Sequence, residues 1–428
     1  MPTTPDKTRR PGYAPTDNIG VGRRGLHKRE RILTCAADVF LVNGFHSTSL
    51  ETIARAANSS RATVYQYFAG KEDIFRELSA VAGQAVLDHG ERLGELGPTG
   101  DGIDALHRWL TDWADIYDNH AAVFAEYPGI GTALSVIDAG PVAEEFRHRV
   151  TAQLRAARLE GLDPDDAAAA LMRIPHMIHL YRHRAMFPLP APDLISWSLT
   201  ITLQLMLFPD TPADVMAHDL VQPAGSSAAA PAEARPTPAP VVVHSSPVGQ
   251  DVLPVSSSLF AEHGYYAVSM EDIAAATDIS RATLYRHFST KDKILAELTR
   301  EALIEIEEHA ATLTRIADID AFTTWMVGYV RFHRRYSGVI RAWFDGAVAE
   351  QLSEAALDHG ITAIHRAVQE LLNAARLPEG VDPEVAAAVF LAVLGRMTEP
   401  TAAGRPRNDE HTAELMVNLL RRSLLRAA

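Results

Sequence analysis

Residues 44–78 read GFHSTSLETIARAANSSRATVYQYFAGKEDIFREL, and residues 264–298 read GYYAVSMEDIAAATDISRATLYRHFSTKDKILAEL. The two stretches align without a gap at an offset of 220, with sixteen identical positions of thirty-five. Most other positions are like for like, as with Val64 against Leu284 and Phe45 against Tyr265. Such agreement reads as tandem duplication. The punctuation inside the stretch says what is duplicated. An apolar-periodic helix over 27–43 stops at Gly44. Ser49 stands as N-cap of a short helix over 50–57, with Ile53 and Ala54 facing inward. Asn58-Ser59-Ser60 forms a tight turn, Ser60 caps a further helix over 61–68, and Ala69-Gly70 breaks it. A longer connecting helix follows over 71–93. Three short helices with a tight turn between the second and third describe a helix-turn-helix unit.

A chain of 428 residues suits two domains of roughly 200 residues, and an apolar content of 47% is enough to fill both. Long Ala/Leu/Glu/Arg segments and few β-branched runs predict an all-α protein. Cys35, the only cysteine, excludes internal disulfides and cysteine-based zinc sites and fits a cytoplasmic protein. The opening stretch, MPTTPDKTRRPGYAPTDNIG, has no apolar core of the signal-peptide kind. The most apolar helix candidate, 195–208, is too short to span a bilayer, so no membrane partner is expected. Net charge is −14, which at first sight argues against nucleic acid. Local distribution matters more. Residues 23–76 hold nine Arg/Lys against five Asp/Glu, whereas residues 250–296 hold four against six. The first copy is a basic island on an acidic protein; the second is not.

The pattern of Gly44, Ser49, Ile53-Ala54, Ser60, Thr63, Val64-Tyr65, Phe68 and Lys71 resembles the DNA-binding domain of the tetracycline-repressor (TetR) family. Gly264, Ser269, Ile273-Ala274, Ser280, Thr283, Leu284-Tyr285, His287-Phe288 and Lys291 repeat it. The resemblance extends in topology to the family's all-α ligand-binding and dimerisation domain. Helical patterns at 101–120, 121–127, 141–160, 164–187 and 192–208 are matched by those at 318–336, 337–350, 354–376, 383–397 and 410–426. GLDPDDAAAALM (161–172) echoes GVDPEVAAAVFL (380–391), each with Pro at a first helical position. The expected layout is therefore a disordered basic tail (1–25), a first helix-turn-helix domain (26–78) and a first all-α regulatory domain (79–208). A Pro/Ala-rich linker (209–249), a second helix-turn-helix domain (250–298) and a second regulatory domain (299–428) complete it. As a flexible chain the linker's Pro/Ala-rich core of roughly thirty residues would span about 30 Å.

The resemblance implies a ligand-responsive repressor that binds a double-stranded DNA operator, with the two units paired as a single-chain pseudo-dimer or in a homodimer. It places Arg61, Ala62, Thr63 and Gln66 on the groove-facing side of the recognition helix. Arg61 is the candidate for a bidentate guanine contact or, failing that, a phosphate, and Thr63 for a thymine methyl. Ser49, Ser60, Tyr65, Tyr67 and Lys71 are positioned for backbone contacts, the two serines serving as caps as well. Tyr67 departs from the family's usual histidine, which the second copy keeps as His287. The second set is Ser269, Ser280, Arg281, Thr283, Tyr285, Arg286, His287 and Lys291. Because the two recognition helices differ, an asymmetric operator is expected. Two features weaken the second reader: the segment just before it lacks basic residues, and Pro254 falls inside its first helix, which is expected over about 250–263 or, shortened, from near Leu253. The alternative is a regulator with one working reader whose second unit is a scaffold. Arg9, Arg10, Arg23, Arg24, Lys28, Arg29 and Arg31 make the approach to the first helix basic, as a solubilising tail or as an arm reaching phosphates or a minor groove.

No GxSxG, phosphate-binding Gly-rich loop or HExxH motif occurs, so no enzyme, cofactor or metal is expected. His176, His179 and His183 share one helical face, which suits a polar interface better than a metal. Trp109, Trp113, Phe124, Tyr127, Trp325, Tyr329 and Trp343 have helical spacing. Most are core, and some are candidates to line a pocket for a small apolar effector.

Overall fold

The computed structural model describes residues 23–126, 140–216, 247–343, 354–400 and 407–426. Every regular element among them is an α-helix. The first unit runs α1 (Arg23–Asn43), α2 (Leu50–Ala56), α3 (Arg61–Tyr67), α4 (Lys71–Glu91), α5 (Gly100–Asn119), α6 (Ala121–Phe124), α7 (Gly140–Ala156), α8 (Pro164–His183) and α9 (Pro192–Leu207). After a single turn, α10 (Ala213–Met216), the plan repeats. The second unit runs α11 (Pro247–His263), α12 (Met270–Ala276), α13 (Arg281–His287), α14 (Lys291–Leu313), α15 (Ile319–Arg335), α16 (Ser337–Trp343), α17 (Glu354–Ala374), α18 (Pro383–Arg396) and α19 (Asp409–Ser423). The expected tail lies outside the described residues except for 23–25, and the expected linker lies outside them except for 209–216 and 247–249.

The boundaries follow from local chemistry. Gly44 and Gly264 close α1 and α11 at φ 74° and 81°, a conformation glycine adopts without steric cost. In the turn between the two short helices, Asn58 and Asp278 take the left-handed conformation that short polar side chains tolerate. Asp163 and Asp382 cap α8 and α18, each with a proline at the first helical position.

One expectation is overturned. The helix α11 is not shortened to begin near Leu253; it starts at Pro247, close to the fuller expectation of about Gln250, and carries Pro254 in its interior. Val252 and Leu253 are fully buried, and that packing outweighs the hydrogen bond Pro254 cannot make.

Each helix-turn-helix core is apolar. In the first, Phe40, Phe45 and Phe75 pack ring on ring, with Phe45 and Phe75 centroids 4.8 Å apart, over Ile32, Ile53, Val64 and Phe68. The two units meet along α8 and α9 of the first and α18 and α19 of the second. Arg407 forks onto Asp166 at 2.5 and 2.9 Å, and Arg173 donates to the carbonyls of Arg396, Glu399 and Pro400. Arg422 donates to the carbonyls of Glu160, Met206 and Leu207. These ties are one-sided. At the offset of 219 that relates the two Asp-Pro segments, Asp166 corresponds to Val385 and Arg173 to Ala392.

Candidate nucleic-acid interface

The recognition helix of the first unit and the helix before it are each capped at the N-terminus. The Ser60 hydroxyl accepts from the Thr63 amide at 3.1 Å, and Ser49 does the same for Thr52, so both serines are caps as expected. Val64 and Phe68 turn inward and leave Arg61, Ala62 and Gln66 exposed, with Thr63, Tyr65 and Tyr67 half-buried. Arg61 donates to the Tyr65 hydroxyl at 3.0 Å and lies over its ring. That bond raises the guanidinium pKa, so the charge is permanent. An exposed arginine beside small and amide side chains is the equipment for reading a groove.

Lys71, expected at the DNA backbone, is instead engaged within its own unit. Its ammonium donates to the carbonyls of Phe45, His46 and Thr48 at 2.7, 2.9 and 2.9 Å, over the Phe45 ring. A lysine has three such protons, and here all three clamp the loop between α1 and α2. Burial lowers its pKa. Lys291 repeats the clamp on Tyr265, Tyr266 and Val268, and its pKa is lowered by burial too.

Part of the basic approach is also engaged. Arg29 forks onto Glu77 and covers the Phe68 ring at 4.9 Å, while Arg31 donates to the Ala57 carbonyl at the end of α2. Lys28 reaches the Asn58 carbonyl in the turn. At the 220 offset these three positions, 28, 29 and 31, are Val248, Gly249 and Asp251, a difference legible in the alignment itself.

The second reader keeps its caps, Ser269 in a reciprocal box with Asp272 and Ser280 on the Thr283 amide. Arg281, Tyr285, Arg286 and His287 are exposed, and Thr283 is half-buried. Arg281 stands 3.6 Å from Glu271, so a carboxylate sits beside its groove-facing charge. Phe288 is only partly buried where Phe68 is fully so, as expected without a counterpart of Arg29 over it. The two units touch at their α1–α2 and α11–α12 loops, where His46 stacks on Tyr266 with ring centroids 3.7 Å apart. No sequence pattern signals that contact.

The candidate ligand residues separate into two groups. Tyr329 and Trp343 line a cavity that opens to solvent between α8, α14, α15, α16, α17 and α18. Trp325 does not line it; it stacks on Tyr329 and donates to the His309 carbonyl. Trp109, Trp113 and Phe124 are buried in the first unit's core, and Tyr127 lies outside the described residues. The His176, His179 and His183 face does not point across the interface. It packs on Tyr117 of its own unit, with centroids 5.3 to 5.6 Å away. Burial pushes His179 down to about 3, and His183 is bonded to Asp118. Among the described residues no three His, Cys, Asp or Glu side chains converge as a metal site, and no helix is long and apolar enough to cross a membrane.

A duplicated, capped helix-turn-helix on an all-α body defines a class of protein. The family model described as "Bacterial regulatory proteins, tetR family" matches residues 32–78 and again 253–298. The chain thus carries two segments that match this family model, one in each unit. It is 31% identical over 108 residues to the HTH-type transcriptional repressor Rv3405c of Mycobacterium tuberculosis, covering 25% of this chain and 52% of that protein. It is 40% identical over 55 residues to the uncharacterized HTH-type transcriptional regulator YdgC of Bacillus subtilis, covering 13% and 28%. The chain thus spans about half or less of the length of these relatives. A solved structure of the TetR family transcriptional regulator PfmR from Thermus thermophilus aligns with a TM-score of 0.31 and 26% identity, over 40% of this chain and 94% of that one.

Proposed function

We propose that the chain is a sequence-specific DNA-binding transcriptional regulator, a ligand-responsive repressor without enzymatic activity that works on cytoplasmic, nucleoid-associated DNA. The observation that carries this reading is the doubled recognition helix, each copy with its arginine, Arg61 or Arg281, exposed on a capped, buried scaffold. Backbone contacts from Ser49, Ser60, Tyr65 and Tyr67 would orient the first reader, and Arg61, Thr63 and Gln66 would specify.

The two units act as a pseudo-dimer within one chain. Three features support that: the one-sided polar ties of the α8/α9–α18/α19 bundle, the His46–Tyr266 stack, and a tether giving an effective concentration in about the millimolar range. One-sided ties favour first unit against second over either unit against itself. Since the readers differ at Gln66 against Arg286 and Tyr67 against His287, the operator is asymmetric. A second reading, in which only the first reader works, is favoured by Glu271 beside Arg281.

Selection of bound sites from random duplexes by the full chain, followed by gel-shift titration of Arg61→Ala and Arg281→Ala, tests both. Two unlike half-sites, each weakened by its own variant, support the pseudo-dimer. A single half-site sensitive only to Arg61→Ala supports the second reading. Failure to enrich any sequence sinks the DNA-binding reading altogether.

A further inference from the structure

The cavity of the second unit is apolar along most of its wall and charged at one end. Met177, Tyr181 and Phe187 come from the first unit; Ile306, Ile361 and Leu391 come from the second. At the charged end stand Arg341, Arg396 and Glu399. Two guanidiniums face one carboxylate, so the pocket carries an excess positive charge. Among the described residues their hydrogen bonds are few. Arg396 donates to Glu399 at 2.9 Å, and Arg341 donates to the Ala261 carbonyl at 2.8 Å. The Arg341–Glu399 separation of 3.8 Å is an ion pair too long for a hydrogen bond. A guanidinium has five donors, so most of these ten have no protein acceptor among the described residues. Burial pushes the Glu399 carboxyl up, but the three arginines Arg396, Arg173 and Arg341 outweigh it and hold the group below the usual carboxylate range. The carboxylate is ionised and paired with Arg396, and the surplus charge at this end is cationic.

The first unit has no equivalent. By the offsets relating the two halves (216 between 121–127 and 337–343, 219 between 161–172 and 380–391), Arg341 corresponds to Ala125, Arg396 to Met177 and Glu399 to Leu180. At these three positions the first unit has no charged side chain.

Its position matters. The helix α16 carries Ser337, Ile340, Arg341 and Trp343 on the cavity wall. On its other side Gly338 lies against α11 so closely that an added Cβ would fall 2.5 Å from the Ala261 amide nitrogen. Arg341 itself bonds the carbonyl of that same residue, in the first helix of the second reader.

We propose that the second unit's cavity binds one anionic amphiphile per chain, an aliphatic carboxylate whose acid group is held by Arg341 and Arg396 and whose chain lies along the Met177, Phe187, Ile306 and Leu391 wall. A carboxylate offers acceptors that match the guanidinium fork. It competes with the Ala261 carbonyl for Arg341, so occupancy is felt by α11 and hence by the second reader. This deepens the ligand-responsive reading above and rests on it, but its test uses no DNA, so either can fail without the other.

The test is isothermal titration of the full chain with octanoate, decanoate and dodecanoate below micelle-forming concentrations, with 1-decanol as the neutral control. One decanoate per chain is expected, bound about tenfold or more tightly than 1-decanol. Arg341→Ala and Arg396→Met, which install the first unit's residues, should each weaken decanoate about tenfold and leave 1-decanol nearly unchanged. Leu391→Trp, which fills the cavity, should abolish both. Far-UV circular dichroism melts establish that each variant folds; if Arg341→Ala does not, Arg396→Met carries the comparison. Equal affinity for acid and alcohol, two sites per chain, no saturable carboxylate binding, or indifference to the arginine substitutions overturns the proposal.

Discussion

Arg29 and Gly249 occupy the same place in the repeat, and the two helix-turn-helix units part company there. In the first, Arg29 spans Glu77 and the Phe68 ring, and Lys28 and Arg31 tie α1 to the end of α2. In the second, no such side chains exist, Phe288 is partly open, and Glu271 lies beside the recognition arginine, whereas its counterpart Glu51 is engaged by Arg55, a position that is Ala275 in the second copy. Their shared parts are the caps, the left-handed turn residue and the lysine clamp. Duplication thus preserved what makes the unit fold and relaxed what braces it. Basic residues preceding a reader are commonly credited to DNA attraction; here several of them are structural ties.

The largest effect expected from this comparison is on stability. Phe68→Ala should cost about 3–5 kcal/mol in urea unfolding of the first reader, as for a fully buried phenylalanine. Phe288→Ala should cost about half that, because part of its ring is already in solvent. Equal losses would show that the missing arginine leaves the second core no looser.

Acid sensitivity is the next largest. His89 and His309 are equivalent positions, and burial lowers them to about 3 and about 4. Each stays neutral in the fold while the unfolded chain takes up a proton below its ordinary pKa of about 6.5. Stability is therefore complete above about pH 6.5 and declines as pH falls toward those lowered values, by about 1.4 kcal/mol per pH unit per histidine. His89→Phe should flatten the pH dependence of the unfolding midpoint over a wider range than His309→Phe. A slope unchanged by both would remove the histidines from the account.

Recognition comes third. Arg61→Ala should cost about 1–3 kcal/mol in operator binding, measured by anisotropy titration, and Arg281→Ala less because Glu271 has no counterpart of Arg55 to engage it and so offsets the Arg281 charge more fully. The reverse ranking would break the comparison. Smallest and most even, Ser60→Ala and Ser280→Ala should each destabilise by about 1 kcal/mol, since the two caps share one geometry. Unlike losses would place a further difference inside the recognition helices themselves.

Much of the fold is legible without coordinates. Caps, glycine stops, Asp-Pro helix starts and helical periodicity are local signals, and the helices they predict appear within a few residues where the structure describes them. The start of α11 escapes such signals because the rule against interior proline is local, while the burial of Val252 and Leu253 that overrides it is not. Nothing in the sequence marks Lys71 as a clamp, because three carbonyls brought together by a loop leave no trace in residue type or spacing. Trp325 and Tyr329 share one spacing pattern, yet only Tyr329 reaches the cavity.

The sequence by itself determined the duplication, the all-α class, the helix-turn-helix units and the imbalance of charge between them, because these depend on residue type, spacing and count. Tertiary structure alone decided which cations are ties and which are exposed, that the halves join through one-sided contacts, and that one cavity has a charged end. Those outcomes depend on which side chains and carbonyls from distant segments come within about 3 Å, the range where hydrogen bonds act.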